Sequence, residues 1–315
     1  MLSHKTNKLI TWSFYFLLVL FLVFYLKSID YSELQNIQIQ WIYVVYCTFL
    51  GLVSRYFGAY IWMVLLRGLG SGVIKEKIQL INVYAKSWMG RYIPGTAPWI
   101  LGKIHFASQH GISKNKLAVS SLLEGGLQIC VTMVLSAILL ILDPRLSVVN
   151  QTVKVLMVFA IISGITLMTP PVFNKIISVI YKIIRKKELA LEHLTNGKTI
   201  TKGASLYTIN ALIGGLGFFF IAKAVYPDLQ YSNLLFIMGA SSLAGAVSML
   251  AIFAPSGIGV REGIQLGLLS IIMPTEYALV ITIFTRLWGV AMDFIFLGTS
   301  FVLMKLCNFY RVNKI

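Results

Sequence analysis

The sequence predicts an all-α polytopic membrane protein of about 7–8 transmembrane helices plus re-entrant hairpins. Hydrophobic residues make up 57% of the 315-residue chain and charged residues 12%, whereas soluble domains are about 25% charged. The apolar excess must therefore face lipid. Several apolar runs reach the roughly 20 residues that a helix needs to cross a bilayer. Backbone groups in lipid must pair within their own segment, which favours helices.

The predicted spans follow one another along the whole chain. They cover residues 9–26, 41–66, 117–142, 152–170, 205–226, 232–254 and 277–304. Two other stretches contain breaks, residues 79–110 at Pro94-Gly95 and residues 255–274 at Pro255-Ser256-Gly257. Proline lacks an N–H and glycine adds conformational freedom, so neither stretch continues as one helix. We expect 79–110 to form one re-entrant hairpin and 232–254 with 258–274 to form another.

Lysine and arginine cluster in segments that would share one side of the membrane. Lys5 and Lys8 precede the first span, basic residues fill the loop 171–203, and Lys305 follows the last span. Such residues mark cytoplasmic loops, so both termini are predicted to be cytoplasmic. Residues 173–187 are typical of a basic amphipathic helix on the membrane surface. The net charge of +16 then indicates topology and acidic lipids, and no nucleic-acid partner is expected.

Two comparable units divide the predicted single transmembrane domain 1–315. One covers 9–142 and the other 152–304, joined at 143–151, and each has the order span, span, hairpin, span. Each unit crosses the membrane an odd number of times, so the second unit is inverted. Secondary transporters are built from inverted repeats, and their sites lie at broken helices.

Four ionisable residues are predicted to lie deep in the bilayer, where each costs about 2.5–3.5 kcal/mol. Arg55 is predicted to pair with Glu124, and Arg286 lies close enough in depth to reach Glu124 as well. Asp293 is two helical turns from Arg286 and needs another partner. These residues indicate either a polar cavity that receives a lipid head group or structural ion pairs between helices.

The hairpin breaks give a second indication of an anion site. A helix that begins after such a break presents free N–H groups and a positive dipole end, which bind phosphate. Arginine adds paired donors that suit phosphate. The alternative is that the breaks only turn the chain and that Glu262 pairs locally with Arg261. The candidate head-group residues are Arg91, Lys103, Arg261 and Arg286, with Glu124, Arg55, Glu262 and Asp293 balancing charge and Pro94, Gly95, Pro255, Gly257 and Gly259 at the breaks.

Enzymatic and metal-binding motifs are missing from the sequence. It contains no Walker loop, no Gly-x-Ser-x-Gly motif and no acidic pair suited to a sugar-nucleotide metal. The histidines and the three cysteines have no ligand spacing. We therefore expect no metal, no cofactor and no enzymatic activity.

Four short motifs resemble one known family. They are Pro255-Ser256-Gly257-Ile258-Gly259-Val260-Arg261-Glu262-Gly263, Arg91-Tyr92-Ile93-Pro94-Gly95 with Gly102-Lys103, Leu122-Leu123-Glu124 and Thr285-Arg286-Leu287. The first resembles the Pro-Gly-Gly-x-Gly-x-x-Glu signature of the lysylphosphatidylglycerol synthase transmembrane-region family, also called flippase-like domain proteins. The resemblance implies a lipid-handling protein of a bacterial or archaeal cytoplasmic membrane. The chain has no soluble aminoacyl-transferase domain, so we do not expect it to synthesise the aminoacyl lipid.

The leading hypothesis is a lipid translocase. It would bind an anionic phospholipid, a polyprenyl-phosphate-type lipid or a lipid-linked glycan and move the head group across the cytoplasmic membrane. Membrane lipids are the expected partners, and a homo-oligomer is compatible with the sequence. The alternatives are an integral-membrane transferase that acts on a lipid-linked sugar and a non-transporting component of a surface-polysaccharide pathway.

Overall fold

A computed structural model describes residues 37–71, 76–92, 98–143, 151–186, 188–190, 194–251 and 257–312. All regular elements within these ranges are helices. The predicted span 9–26 and the break residues Pro94, Gly95 and Pro255 lie outside the described residues. The same holds for Lys5 and Lys8.

The helices follow the predicted spans closely. Two short 3₁₀ turns accompany them, Met89–Tyr92 and Tyr231–Asn233. The helices are α1 (Trp41–Gly68), α2 (Lys77–Trp88), α3 (Pro98–Ser108), α4 (Lys114–Ile141), α5 (Gln151–Leu167), α6 (Pro170–Arg185), α7 (Gly197–Val225), α8 (Leu234–Leu250), α9 (Val260–Leu269) and α10 (Thr275–Val312).

Within the described ranges, 5 helices are long and apolar enough to cross a membrane, namely α1, α4, α7, α8 with its preceding turn, and α10. The pair α5 and α6 passes the same criterion when the two helices are taken together. The exposed surface is apolar as well, since Trp41 on α1 is 72% exposed and Phe159 on α5 is 68% exposed. Such side chains suit a lipid environment. The predicted all-α polytopic membrane fold is confirmed.

The region after α4 agrees with the predicted span over 152–170 and the separate helix predicted to follow it. Helix α5 ends at Leu167, and α6 leaves at an angle of 79°. Pro170 stands in the first turn of α6, where a missing N–H is harmless and the ring prevents continuation of α5. Helix α6 corresponds to the predicted surface helix 173–187. It buries Phe173, Ile177 and Tyr181, which recur every four residues along one face.

Packing between the predicted units is reciprocal. Helix α1 packs most extensively against α7, its counterpart in the second unit. Helix α2 of the first hairpin packs against α10, and α8 of the second hairpin packs against α4. Each hairpin thus contacts the last span of the other unit, and the division into repeat units stays a prediction. The inversion of the units across a membrane stays a prediction.

Candidate functional site

A polar cavity of ≈ 270 Å³ lies between the two predicted units. Its walls come from α1, the end of α2, α4, α7, α8, α9 and α10. Three arginines line it, Arg55, Arg91 and Arg261, and no carboxylate lies among the described residues of its lining. A cavity with this lining, at the centre of an apolar helical bundle, favours an anionic occupant.

One buried carboxylate behind the wall holds two of these arginines. Asp293 on α10 has a side chain that is 0% exposed, and its Oδ1 lies 2.7 Å from Arg55 Nη2. Its Oδ2 lies 3.0 Å from Arg91 Nη2 and accepts a 2.6 Å hydrogen bond from the Tyr92 hydroxyl. Asp293 therefore ties α10 to α1 and to the 3₁₀ turn after α2. Two of the three cavity arginines share this single carboxylate, so the described lining keeps an excess of positive charge.

The backbone and aromatic rings further orient the two tied guanidinium groups. Arg55 donates to the carbonyl oxygens of Gly51 at 3.1 Å and Gly289 at 2.9 Å. Arg91 lies over the Trp88 ring, 5.0 Å from its centroid. Cation–π contact of this kind stabilises a partly desolvated arginine. Both side chains are thus held in place before any ligand arrives.

Arg261 has a different environment, because no carboxylate oxygen in the described part of the chain lies within 4.0 Å of its guanidinium nitrogens, although Glu262 attracts it electrostatically. Its Nε atom is buried without a hydrogen-bond partner there. A small adjoining pocket connects Arg261 with Glu262 and Arg286, and Arg286 Nη1 lies 3.6 Å from Glu262 Oε1. Glu262 is thus engaged with Arg286, and it also attracts the neighbouring Arg261 electrostatically, so the predicted alternative of a local interaction between Arg261 and Glu262 stays a prediction.

Several further polar atoms of the cavity lack partners within the described ranges. They are Arg91 Nε, the Tyr207 hydroxyl and Asn210 Oδ1, all from residues of the cavity wall. Gln265 Nε2 in the adjoining pocket belongs to the same group. Buried polar groups are ordinarily paired with protein, water or a ligand. The cavity therefore offers both donors and acceptors to a hydrated or ligand-bound interior.

Lys103 lies away from the cavity wall and forms a fully buried ion pair with Glu124. The Tyr84 hydroxyl donates to the other carboxylate oxygen at 2.9 Å. The rings of Trp62, Tyr84 and Trp99 surround the ammonium group at 5.1, 4.2 and 4.9 Å. Only Tyr84 of this cluster reaches the cavity and so connects the buried pair with it.

These contacts correct the predicted charge pairing. The pairs of Arg55 with Glu124 and of Arg286 with Glu124 are wrong, because Lys103 occupies Glu124 while Arg55 binds Asp293 and Arg286 contacts Glu262. The estimated depth of each residue in the bilayer suggested the wrong partners. Depth does not give the rotation of a helix about its axis, which decides the neighbour that a side chain faces. The expected separate partner of Asp293 is Arg55, with Arg91 as a second.

The second break has the backbone that glycine favours. Gly257 has φ of 66° and Gly259 has φ of 85°, values that other residues rarely adopt. A Cβ on Gly257 would lie 2.5 Å from Ser248 Cβ. The Glu262 carboxylate accepts a 2.7 Å hydrogen bond from Gly259 N. The predicted free N-terminus of α9 is therefore partly occupied by the protein's own carboxylate. The guanidinium group of Arg261 is a more available donor to a ligand than the backbone N–H groups of this N-terminus.

Sequence reasoning missed several residues of the cavity wall. Tyr84, Tyr207 and Asn210 all line it, and Asn210 stands inside the apolar helix α7. A lone amide in a predicted span was a usable signal, since polar groups inside membranes usually face a partner or a cavity. Among the described residues, no group of three or more His, Cys, Asp or Glu side chains is placed to hold a metal ion.

The fold and the cavity define a polytopic α-helical membrane protein with an internal arginine-lined site. Residues 10–296 match the family described as lysylphosphatidylglycerol synthase TM region. The match covers most of the 315 residues, and the chain belongs to this family, as its motifs predicted. The family is one of membrane domains that are often flippase-like. No curated protein matches the sequence.

Proposed function

We propose that this protein binds the anionic, phosphate-bearing head group of a lipid in the arginine-lined cavity and moves it across the cytoplasmic membrane. The lipid classes that fit are an anionic phospholipid, a polyprenyl-phosphate-type lipid and a lipid-linked glycan. The proposal depends on one observation: three arginines face the cavity, and Arg91 and Arg261 each have a buried Nε atom without a partner in the described residues. A phosphate oxygen accepts from such donors.

Head-group transfer requires a polar path, because a charged group in hydrocarbon costs several kcal/mol. The cavity supplies fixed donors in place of water, while the acyl chains remain in lipid. Arg55 and Arg91 are oriented by Asp293, and Arg261 contributes a charge that forms no ion pair within 4.0 Å among the described residues. Binding of a phosphate therefore neutralises excess charge without requiring that an existing ion pair is broken.

A leaflet-transfer assay in proteoliposomes tests the proposal. The vesicles contain phosphatidylglycerol with a fluorescent head group, and a membrane-impermeant quencher reports the fraction in the outer leaflet. Hydrogen bonds to charged groups contribute about 1.5–3 kcal/mol, so Arg261→Gln should slow transfer about tenfold or more. Arg67→Gln is the matched control, because Arg67 is exposed at the end of α1 and should leave transfer unchanged.

The outcomes separate this function from its alternatives. Equal transfer by Arg261→Gln and the unaltered protein would contradict a role for the cavity. Covalent modification of the labelled lipid by the purified protein would instead identify a transferase. A protein that binds the lipid but leaves it in its leaflet would be a non-transporting component of a lipid or polysaccharide pathway.

A further inference from the structure

A second cavity of ≈ 450 Å³ lies on another face of the molecule, between α4, α7 and the elbow where α5 meets α6. It has no lining residue in common with the arginine-lined cavity. Ile138 and Ile165 on its walls are 39% and 53% exposed, so it opens on the apolar outer surface of the bundle. We call it the elbow groove.

Local contacts hold the shape of the elbow groove. Helix α5 approaches α4 closely at Gly164, where a Cβ would lie 2.5 Å from Val134 Cγ2. The chain then turns by 79°, and α6 packs against an earlier part of α4, where the Tyr181 hydroxyl donates to Asn115 at 3.0 Å. Asn174 on α6 donates to Thr195 O at 2.8 Å and accepts from Thr195 N at 3.0 Å. These two bonds fix α6 to the segment before α7, so the groove exists without a ligand.

The lining changes in chemistry along the groove. Helices α4 and α5 contribute apolar side chains such as Val134, Leu135, Ile138 and Ile165. Helix α7 contributes the hydroxyl groups of Thr201 and Ser205, which lie near its N-terminal end.

Two lysines extend this polar end. Lys198 and Lys202 are exposed in the first two turns of α7. Lys198 lies three residues before Thr201 and Lys202 three residues before Ser205, a spacing that places all four side chains on one helix face. The groove is therefore apolar at one end and cationic, with hydroxyl donors, at the other. This pattern is complementary to one amphiphile, a hydrocarbon chain that carries a phosphate.

We propose that the elbow groove binds one anionic phospholipid, with an acyl chain against α4 and α5 and the phosphate at Lys198 and Lys202. The hydroxyls of Thr201 and Ser205 donate to the same phosphate. Lysines at a membrane surface each favour an anionic lipid by about fivefold in affinity. This site is independent of the proposed head-group transfer, because none of its residues lines the arginine cavity.

Photolabelling of the protein in nanodiscs tests the acyl-chain part of the proposal. The probe is phosphatidylglycerol with a diazirine midway along one acyl chain, present in trace amounts in phosphatidylcholine. After irradiation, mass spectrometry should locate the label mainly on residues 134–138 and 165–168. Ser205→Trp fills the groove and should lower this labelling severalfold. Ile209→Trp is the control, because Ile209 is 47% exposed on the same helix and lies outside the groove lining.

The head-group part is tested with charge variants and a second probe. Lys198→Gln with Lys202→Gln should reduce phosphatidylglycerol labelling of the groove to the level of a phosphatidylcholine probe with the same diazirine chain. Lys77→Gln with Lys114→Gln removes two exposed lysines elsewhere and should leave labelling unchanged. Excess glycerol phosphate should not displace the lipid probe, because the acyl chain contributes most of the contact.

Four results would overturn the proposal. Equal labelling by the two lipid probes, or labelling spread along the exposed face of α5 and unaffected by Ser205→Trp, would indicate ordinary surrounding lipid. Displacement by glycerol phosphate would indicate a phosphate site without a lipid. A second protein helix cross-linked at the groove would identify a different occupant. Leaflet transfer, measured separately with Arg261→Gln, distinguishes failure here from failure of the proposed function.

Discussion

At the residue scale, the pair of Lys103 and Glu124 joins α3 to α4 at the centre of the first unit. Both side chains are essentially buried, at 0% and 1% exposure. Removal of one partner from a buried pair leaves an uncompensated charge and costs about 3–5 kcal/mol, whereas apolar or neutral replacement of both is often tolerated. The pair is therefore a sensitive test of whether these residues lock helices together.

We expect Lys103→Met or Glu124→Gln alone to lower the free energy of unfolding by about 3–5 kcal/mol. The thermal unfolding midpoint in detergent should fall accordingly. The double variant should recover most of the loss, because no buried charge remains. Lys182→Met is the control, since its pair with Glu188 is exposed and its removal should change the midpoint little. A double variant as unstable as the sum of the single variants would show that the two charges act independently.

Asp293 offsets part of the positive charge that Arg55 and Arg91 present to an anionic ligand. Asp293→Asn keeps the shape of the side chain but removes its negative charge. We expect the variant to bind phosphatidylglycerol severalfold more tightly, measured by native mass spectrometry of lipid-bound protein. Its thermal stability should fall, because two arginines lose their counter-charge. Asp228→Asn, in an exposed turn, should alter neither property, and weaker lipid binding by Asp293→Asn would contradict the expectation.

At the element scale, the break between α8 and α9 depends on the backbone of Gly257. Its φ is 66°, and a methyl group added there would lie only 2.5 Å from Ser248 Cβ. Gly257→Ala therefore combines a left-handed strain of about 1–2 kcal/mol with a steric clash, and the unfolding midpoint should fall accordingly. Gly263→Ala is the matched control within α9, where an added methyl meets nothing within 4 Å. This change should stabilise by up to about 1 kcal/mol.

The elements were predicted more accurately than their partners, for a physical reason. A long apolar run predicts a membrane-spanning helix, so α1 and α10 were located from the sequence alone. The break predicted at Gly257 is also present, between α8 and α9. The 79° bend at Pro170 agrees with the predicted change from a span that ends at residue 170 to a separate helix over 173–187, because proline cannot continue α5. The pairing of Glu124 with Lys103 was missed because it depends on how α3 and α4 rotate against each other, which periodicity within one helix does not determine.

At the scale of the whole molecule, contacts between the two predicted units hold the cavity together. Asn82 on α2 donates to Ser300 on α10 at 3.0 Å, and the Tyr56 hydroxyl donates to Thr299 at 2.9 Å. Transporters of inverted-repeat architecture move substrate by rocking one repeat against the other. If head-group transfer uses this motion, a covalent link between the units must stop it.

A disulfide across the units gives the last prediction. A Cβ on Gly239 of α8 would lie 3.3 Å from Leu139 Cβ on α4, close to the 3.5–4.5 Å that a disulfide needs. In a background without the native cysteines, oxidised Leu139→Cys with Gly239→Cys should reduce lipid transfer to the protein-free rate, and reduction should restore it.

The control pair lies within the first hairpin. A Cβ on Gly102 would lie 3.4 Å from Ser87 Cβ, so these two positions can also be linked. Ser87→Cys with Gly102→Cys leaves the units unlinked, so its oxidation should leave transfer intact. Full transfer by a completely oxidised cross-unit variant would show that head groups move without relative motion of the units at this contact.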